Sequence, residues 1–294
     1  MASYGILNLN KPPAVTSRDV VNQIQRLVRP AKVGHAGTLD PLATGVLVVC
    51  VGAATRLIEY VQRMPKGYTG TFLLGRSSPT EDIEGDVTEL DNPPVPTREQ
   101  IEIAAAALVG HIEQRPPIYS ALKVDGRRAY ALARKGKEVE LKPRPVTIHR
   151  LDVEAYDYPQ LTLNIECGSG TYVRSLGRDL AESLGTAAVM SGLIRTKVGC
   201  FGLNEALDPL QVTQDSWADQ LLPASKAVGA LPRIELSADD ITEIRNGRMI
   251  PRSDAEVARG DAQEFAAMDT DGRLIAILIC RGEGLLGPLR NLPA

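Results

Sequence analysis

The chain has 294 residues, of which 44% are apolar and 23% charged, and its formal net charge is −3. This ordinary globular composition excludes a largely disordered chain, and the length favours two structural units. The longest apolar run, residues 45–54, is about half of the roughly 20 residues that a membrane-spanning helix needs, so no such helix is expected. Residues 1–11 lack the basic and apolar regions of a secretion signal.

The cysteines and histidines give no sign of a metal site. The four cysteines and three histidines are widely separated, and none forms a C-x-x-C pair or a histidine cluster. We therefore predict neither bound metal nor a disulfide framework. Free thiols are typical of a reducing compartment, which predicts a cytoplasmic protein.

In chain order, the first elements predict a strand, a helix and a buried strand. Residues 4–10 alternate as a strand, and Ser17 can cap a helix whose apolar positions recur on one face up to Pro30. Residues 46–51 are a continuous apolar, mostly β-branched run that suits a strand buried on both faces. The glycine-rich residues 34–45 are expected to form a loop held against the sheet.

The middle of the chain mixes helices and strands without a strict βαβ repeat. The predicted elements are a short helix near residues 55–64, a strand at 68–74, a helix opened by a capping box at Thr97 and Gln100, and a hairpin of strands at 146–156 and 161–167. A further helix follows residues 168–170 and ends at Gly185. This order favours an α+β fold with a mixed, largely antiparallel sheet flanked by helices over a doubly wound sheet.

The pattern breaks at residues 223–232, and we place a domain boundary there. Residues 1–228 form the larger predicted domain. Residues 229–294 predict a small, mostly β domain with a short helix at 237–246 and a hairpin around residues 271–272.

The slightly acidic chain contains one basic segment. Between Arg115 and Arg150 there are ten basic and three acidic residues, and Tyr119 and Tyr130 lie among them. Cations mixed with aromatic rings bind phosphates and stack on unpaired bases, so the segment indicates a nucleic-acid partner. Considered alone, such a run is about as often a solvated charged surface.

The strongest local signal is the string His35-Ala-Gly-Thr-Leu-Asp-Pro-Leu-Ala-Thr-Gly45. Its glycines allow tight turns, and Pro41 biases Asp40 towards an extended backbone that can project the carboxylate from the loop. Because an Asp-Pro pair in a glycine-rich loop is more often a plain turn, chemistry at Asp40 has to be argued from the rest of the chain.

The string resembles the catalytic-aspartate motif of the bacterial tRNA pseudouridine-55 synthases of the TruB type, G-H-x-G-T-L-D-P-x-A-x-G, at every specified position. Three further strings resemble the family in the same order: Lys66-Gly-Tyr68-Thr-Gly70, residues 115–123 with Gly126, and residues 170–176. With the C-terminal segment, the likeness covers essentially the whole chain. It implies a pseudouridine synthase fold, a basic thumb insertion at about residues 115–145 and a C-terminal PUA-like RNA-binding domain.

The resemblance also implies an activity, the conversion of uridine 55 to pseudouridine in the T-arm loop of tRNA without a cofactor. Asp40 corresponds to the carboxylate that attacks the uracil ring or the ribose C1′, or that assists an elimination. Tyr68 corresponds to an active-site tyrosine that stacks on the target base and can itself act as a catalytic base, and Arg174 to the arginine that pairs with the aspartate. His35 corresponds to a histidine that helps to extrude the base from its stack. Without the resemblance, Tyr68 would be assigned to a core and His35 to a structural role.

Further residues are implied to bind the substrate. Tyr172 and Leu193 match positions that line the base pocket, and Lys66 belongs to the string that contains Tyr68. The thumb cations correspond to residues that contact the RNA stem-loop; they are Lys123, Arg127 and Arg128. Lys11 and Pro12 match a motif that we interpret as support for the aspartate loop. In the family pattern T-x-T-x-D-x-x-G, Thr80, Asp82 and Gly85 are retained and Ser78 replaces the first threonine.

Two other hypotheses stay open at this point. The chain could be an RNA-binding protein or tRNA folding chaperone that keeps the scaffold without the activity. It could also be a guide-RNA-dependent relative that acts on ribosomal RNA within a multiprotein particle. The intact thumb and the absence of long basic extensions favour a stand-alone enzyme with no obligate protein partner. Nothing in the sequence demands more than a monomer, and no membrane association is expected.

Overall fold

The computed structural model describes residues 3–120, 123–124, 127–128, 141–251, 263–282 and 284–293, with residues 123–124 and 127–128 described as backbone. In chain order the strands are β1 (Gly5–Lys11), β2 (Val33–His35), β3 (Thr44–Val51), β4 (Lys66–Leu74), β5 (Arg76–Ser77), β6 (Thr88–Glu89), β7 (Gly110–Gln114), β8 (Lys123–Val124), β9 (Arg127–Arg128), β10 (Arg144–Asp157), β11 (Gln160–Cys167), β12 (Ala188–Val198), β13 (Phe201–Gly202), β14 (Arg233–Glu235), β15 (Ile250–Pro251), β16 (Glu264–Met268), β17 (Leu274–Cys280) and β18 (Leu285–Asn291). The described α-helices are α1 (Ser17–Leu27), α2 (Ile58–Arg63), α3 (Arg98–Ala107), α4 (Val173–Ser183) and α5 (Ala238–Arg245).

The larger sheet has nine strands within these described ranges. Seven follow the order β1-β3-β12-β4-β11-β10-β7, while β2 pairs with β3 and β13 with β12. The contact between β12 and β3 is parallel, and the other strand pairs are antiparallel. The predicted α+β fold with a mixed, largely antiparallel sheet is therefore confirmed.

Helices cover this sheet because each presents one apolar face. Val20, Val21 and Ile24 of α1 pack against β1 and β3, in a buried cluster with Leu7 and Leu47. A second buried cluster joins α3 and α4 to the central strands. These clusters hold the loops at the strand ends where the site forms.

The start of α1 differs from the prediction by one residue. Thr16, not Ser17, is the N-cap: its Oγ1 accepts from the Asp19 N–H at 3.1 Å, and Asp19 Oδ2 accepts from the Thr16 N–H at 2.9 Å. This is a capping box. The buried Ser17 hydroxyl instead binds the backbone of Leu39, beside the predicted catalytic residue.

The most important element missed by the sequence pattern is β12. It is central in the sheet, but Ser191 and Gly192 interrupt its apolar run, and its register with β4 shifts between Met190 and Gly192. A bulge breaks the alternation on which strand prediction depends. The strands β2, β7 and β18 were also missed.

The C-terminal segment forms a second sheet in the order β14-β16-β17-β18-β15, with α5 beside it. The predicted short helix and the hairpin β16–β17 are present. The boundary at residues 228–229 stays a prediction, because the two sheets share one buried cluster. In that cluster Ala266, Met268 and Ile277 pack with Val46 and Leu57.

The N-terminal strand β1 is completed by distant segments. Beyond its pairing with β3, Ile6 exchanges backbone hydrogen bonds with Leu222 at 3.0 and 2.8 Å, and the Asn10 N–H donates to the Leu207 carbonyl at 2.8 Å. The Tyr4 hydroxyl donates to the Pro293 carbonyl at 3.0 Å. No described helix is long and apolar enough to span a bilayer.

Candidate active site

Asp40 lies in the loop between β2 and β3, and neighbouring elements fix the backbone on both sides of it. The Ser17 Oγ donates to the Leu39 carbonyl at 3.0 Å and accepts from the Leu39 N–H at 2.8 Å. The Nζ of the fully buried Lys11 donates to the Pro41 carbonyl at 3.3 Å. The Asp40 side chain itself remains 36% exposed, so an incoming molecule can reach its carboxylate.

Arg174, in the first turn of α4, connects Asp40 to a second carboxylate. Its Nε lies 3.1 Å from Asp40 Oδ2, and its Nη1 lies 3.2 Å from Asp82 Oδ2. It also donates to the carbonyls of Thr80 at 2.6 Å and Tyr119 at 3.1 Å. A cation in the first turn of a helix opposes the helix dipole, and the two carboxylates relieve that conflict.

Asp82 is the buried member of this group. The sequence analysis identified it as part of a family pattern but assigned it no role. Its side chain is 3% exposed, it accepts from the Thr80 hydroxyl at 2.6 Å, and it accepts from the Glu84 N–H at 3.1 Å. Because Asp82 is held at several points, it anchors Arg174. The guanidinium can then orient the more exposed Asp40.

Tyr68 and Leu193 lie on the adjacent strands β4 and β12. Leu193 is buried, and Tyr68 is partly buried in the same wall. Burial raises the pKa of the Tyr68 phenol, and the nearby Arg195 guanidinium opposes this shift. The two side chains therefore offer a largely apolar surface of the kind on which a nucleobase stacks.

Arg195 has a positioning role that was not predicted. It lies between Gly45 on β3 and Tyr68 on β4 in the strand register, and it is 2% exposed. Its guanidinium donates to the carbonyls of Val46 at 2.7 Å, Gly37 at 3.2 Å and Thr38 at 3.5 Å. Arg195 thus ties the loop that carries Asp40 to the strand beside Tyr68. Only the pairing of the missed strand β12 reveals this contact.

Lys66 provides a buried cation at the start of β4. Its Nζ donates to the Gln62 carbonyl, and no carboxylate pairs with it in the described part of the chain. Burial, together with repulsion from Arg195, lowers the pKa of the Lys66 ammonium to about 8. A cation without a carboxylate partner at the edge of a cleft is suited to an anionic or carbonyl-bearing ligand.

Tyr172 directly precedes α4, and side chains from two other strands contact it. The Gln114 amide binds both backbone polar groups of Tyr172, and the Arg144 guanidinium lies 4.9 Å from the centre of its ring. Neither Gln114 nor Arg144 was predicted as a site residue, because their positions depend on long-range pairing.

Among the predicted site residues whose side chains are described, His35 alone does not line the cleft. It lies on β2, and its Nδ1 is buried without a hydrogen-bond partner among the described residues. Burial lowers the pKa of the imidazole, which favours the neutral ring. Its predicted contact with an extruded base stays a prediction.

Most of the predicted site residues meet in one cleft of about 750 Å³. This volume suits a ligand the size of one nucleotide. The predicted residues that line it are Asp40, Lys66, Tyr68, Tyr172, Arg174 and Leu193. Arg144 and Arg195 add two more cations to the lining, against the acidic Asp40, Asp82 and Glu84.

The predicted thumb cations, Lys123, Arg127 and Arg128, belong to the hairpin β8–β9. Their side chains lie outside the described part of the structure, so their contact with RNA stays a prediction. Among the residues whose placement is described, no group of three or more His, Cys, Asp or Glu side chains is arranged to hold a metal ion.

Similarity to known proteins places the chain in a class of enzymes. Residues 25–173 match the family model described as TruB family pseudouridylate synthase, N-terminal domain. The chain belongs to the TruB family of pseudouridylate synthases. The family resemblance inferred from its motifs is thereby confirmed.

Named relatives extend the similarity over nearly the whole chain. It is 43% identical over 288 residues to tRNA pseudouridine synthase B of Arthrobacter sp. (strain FB24), covering 95% of this chain and 93% of the relative. It is 41% identical over 287 residues to the protein of the same name from Mycobacteroides abscessus, covering 96% and 94%.

Solved structures support the fold. A chain in the crystal structure of a Cbf5-Nop10-Gar1 complex matches with a TM-score of 0.72 and 25% identity, covering 95% of this chain and 78% of that one. A chain from an H/ACA RNP bound to a substrate RNA containing 2′-deoxyuridine matches with a TM-score of 0.73 at 21% identity, covering 98% and 85%. At that identity, the second likeness shows the fold alone.

Proposed function

We propose that this protein isomerises uridine 55 to pseudouridine in the T-arm loop of tRNA, with Asp40 as the catalytic carboxylate and without a cofactor. The observation that carries the proposal is the Asp40–Arg174 pair in a cleft of nucleotide size, in a chain whose relatives are named tRNA pseudouridine synthase B. The pair supplies an oriented carboxylate, and the cleft supplies a partly apolar wall for the base.

The proposed reaction is an isomerisation with no net oxidation or reduction. The bond between N1 of uracil and C1′ of the ribose breaks, the base turns, and a bond forms between C5 and C1′. The proton on C5 leaves, and N1 gains a proton. One carboxylate can serve this sequence as a nucleophile at the ring or at C1′, or by assisting elimination of the base.

The remaining residues have roles in binding and orientation. Arg174 fixes the direction of the Asp40 carboxylate, and Asp82 holds Arg174. Tyr68, Tyr172 and Leu193 form the surface against which the extruded base packs. Extrusion costs a few kcal/mol of lost stacking, which contacts within the cleft offset, and we assign part of this task to His35.

RNA affinity is assigned mainly to cations outside the catalytic pair. Lys66 binds substrate within the cleft, and Lys123, Arg127 and Arg128 contact the phosphates of the T-arm stem-loop. We assign residues 1–228 to the catalytic domain, with a thumb at about 115–145, and residues 229–294 to a PUA-like RNA-binding domain. We further propose that the protein acts in the cytoplasm as a monomer without an obligate protein partner.

The test uses the purified full chain and an unmodified tRNA transcript. Pseudouridine is mapped at each position before and after incubation, for the wild type and for Asp40→Asn. We expect Asp40→Asn to abolish turnover while tRNA affinity stays within about tenfold, because binding depends mainly on phosphate contacts and stacking. Asp86→Asn, which changes an exposed carboxylate outside the cleft, is the matched control and should retain full turnover.

Three outcomes would overturn the proposal or part of it. Binding without pseudouridine in the wild type would instead support a tRNA folding chaperone. Activity that requires an added guide RNA, and is absent on an isolated T-arm stem-loop, would support a guide-dependent enzyme. Normal turnover in Asp40→Asn would remove the assigned role of that residue.

A further inference from the structure

Tyr172 is held by a side chain that pairs with both of its backbone polar groups. The Gln114 Oε1 accepts from the Tyr172 N–H at 2.8 Å, and the Gln114 Nε2 donates to the Tyr172 carbonyl at 3.1 Å. Gln114 is 1% exposed, so water does not compete strongly for these bonds. Two hydrogen bonds to one residue fix the orientation of its backbone, and therefore the direction in which its side chain leaves the chain.

The ring of Tyr172 is held separately, by a cation. The Arg144 guanidinium lies 4.9 Å from the ring centre, within the range of a cation–π interaction. The Arg144 Nη2 also donates to the Gly170 carbonyl at 2.9 Å, so the guanidinium is itself fixed in place. Both Arg144 and Tyr172 line the cleft that contains Asp40.

Gln114 and Arg144 are directly opposite each other in the sheet. Gln114 is the last residue of β7, Arg144 is the first residue of β10, and the register pairs the two. One cross-strand pair at the edge of the sheet therefore contacts Tyr172 twice, once at the backbone and once at the ring. A chance packing contact would not account for both.

Resting on the function proposed above, we infer that Gln114 and Arg144 form a clamp that positions Tyr172 as a wall of the nucleobase site. Both are positioning residues, which act on the reaction through Tyr172. The clamp acts on the rate of the chemical step rather than on the strength of RNA binding. Without it, the Tyr172 ring samples other orientations, and the base is no longer held in one reactive position.

The main test compares Arg144→Met and Arg144→Lys with the wild type under single-turnover conditions. Loss of the cation in Arg144→Met should lower the rate constant by roughly tenfold, while the Kd for tRNA changes by less than about twofold. Arg144→Lys keeps a cation near the ring and should recover part of the rate. Arg98→Met, which removes a half-exposed arginine paired with Glu102 on α3, is the matched control and should leave the rate constant unchanged.

The alternative for Arg144 is direct contact with an RNA phosphate. In that case Arg144→Met would weaken tRNA binding and reduce the slope of log Kd against log salt by about one, with the rate constant unchanged at saturation. That result overturns the inference. A variant with neither change also overturns it, because the cation over Tyr172 would then have no effect on the reaction.

Hydrogen exchange tests the backbone half of the clamp independently of activity. The Tyr172 amide should exchange slowly in the wild type and at least about tenfold faster in Gln114→Ala, because its acceptor is lost. Equal exchange rates would contradict the clamp. If the wild type forms no pseudouridine, the proposed function fails, whereas this exchange measurement still decides whether Gln114 holds Tyr172.

Discussion

Replacing Asp82 by asparagine tests whether Arg174 depends on its buried partner. The substitution keeps the size of the side chain but removes its charge and places an NH2 group or a neutral carbonyl against the Arg174 Nη1. Asp82 is 3% exposed and the Arg174 side chain 8% exposed, so solvent cannot replace the lost carboxylate. Thr80 and Glu84 both donate to Oδ1, so an amide oxygen in that position keeps both bonds and leaves the NH2 group facing Arg174.

The expected loss of stability depends on the contacts that Arg174 keeps in the Asp82→Asn variant. Removing one partner of a buried ion pair typically costs about 3–5 kcal/mol. Because Arg174 keeps Asp40 at 3.1 Å and two backbone carbonyls, we expect the lower end of that range, about 3 kcal/mol of unfolding free energy. In a chain of this size that corresponds to a fall in Tm of roughly 5 °C. Turnover should fall by about a hundredfold, because the guanidinium that orients Asp40 is no longer anchored.

Urea unfolding followed by circular dichroism measures the first effect, and single-turnover formation of pseudouridine measures the second. Asp86→Asn is again the control, and an exposed substitution of this kind should stay within about 0.5 kcal/mol of the wild type. An Asp82→Asn variant with wild-type stability and turnover would refute the idea that Asp82 anchors Arg174. Unchanged tRNA affinity is expected, because Asp82 contributes no cation to RNA binding.

Four further predictions concern the cleft and its surroundings. Burial lowers the pKa of Lys66 from its ordinary 10.5 to about 8, so its charge and its contribution to tRNA affinity should be lost as the pH rises through about 8. The tRNA affinity of Lys66→Arg should depend less on pH in this range. If its pH profile is identical to that of the wild type, Lys66 is not the source of the pH dependence. The native state binds fewer protons than the unfolded chain between about pH 8 and 10.5, so Lys66 should make the unfolding free energy rise with pH in that window, as acid–base linkage requires. Gly45 has φ of +99°, and a Cβ there would lie 2.3 Å from the Arg195 carbonyl oxygen. Gly45→Ala should therefore lower the free energy of unfolding, measured in urea, by about 3 kcal/mol or more. Gly229→Ala is the control and should be nearly neutral, because its Cβ would lie 3.9 Å from the nearest neighbouring atom. Replacing Lys123, Arg127 and Arg128 together with alanine should weaken tRNA binding and reduce the salt slope by up to about three, and an unchanged slope would exclude them from the RNA contact surface.

The sequence alone could identify those site residues that lie within continuous motifs. Asp40, Tyr68 and Arg174 come from three distant strings, and the structure brings them to one cleft. The strings carry their own local geometry, such as the turn before Pro41 and the start of α4. Their chemical roles stay predictions, because geometry alone does not test a reaction.

Residues whose importance depends on tertiary pairing could not be identified in this way. Arg195 acts through the register of β12 with β3 and β4, and β12 has no regular alternation in the sequence. Gln114 and Arg144 come together only because β7 and β10 pair, across a separation of thirty residues. Asp82 matched a sequence pattern, but the pattern does not reveal its contact with Arg174, which depends on how the chain folds.

The completion of β1 by distant segments has a consequence for synthesis of the chain. Residues 5–11 are synthesised about two hundred or more residues before Leu207, Leu222 and Pro293, which close the open side of that strand and its start. During translation the strand therefore presents unpaired backbone groups and an apolar face for many seconds, which is a condition that favours association between nascent chains. The same long-range closure gives the native state a high contact order, so the last step of folding should be slow and should follow release of the C-terminal sheet.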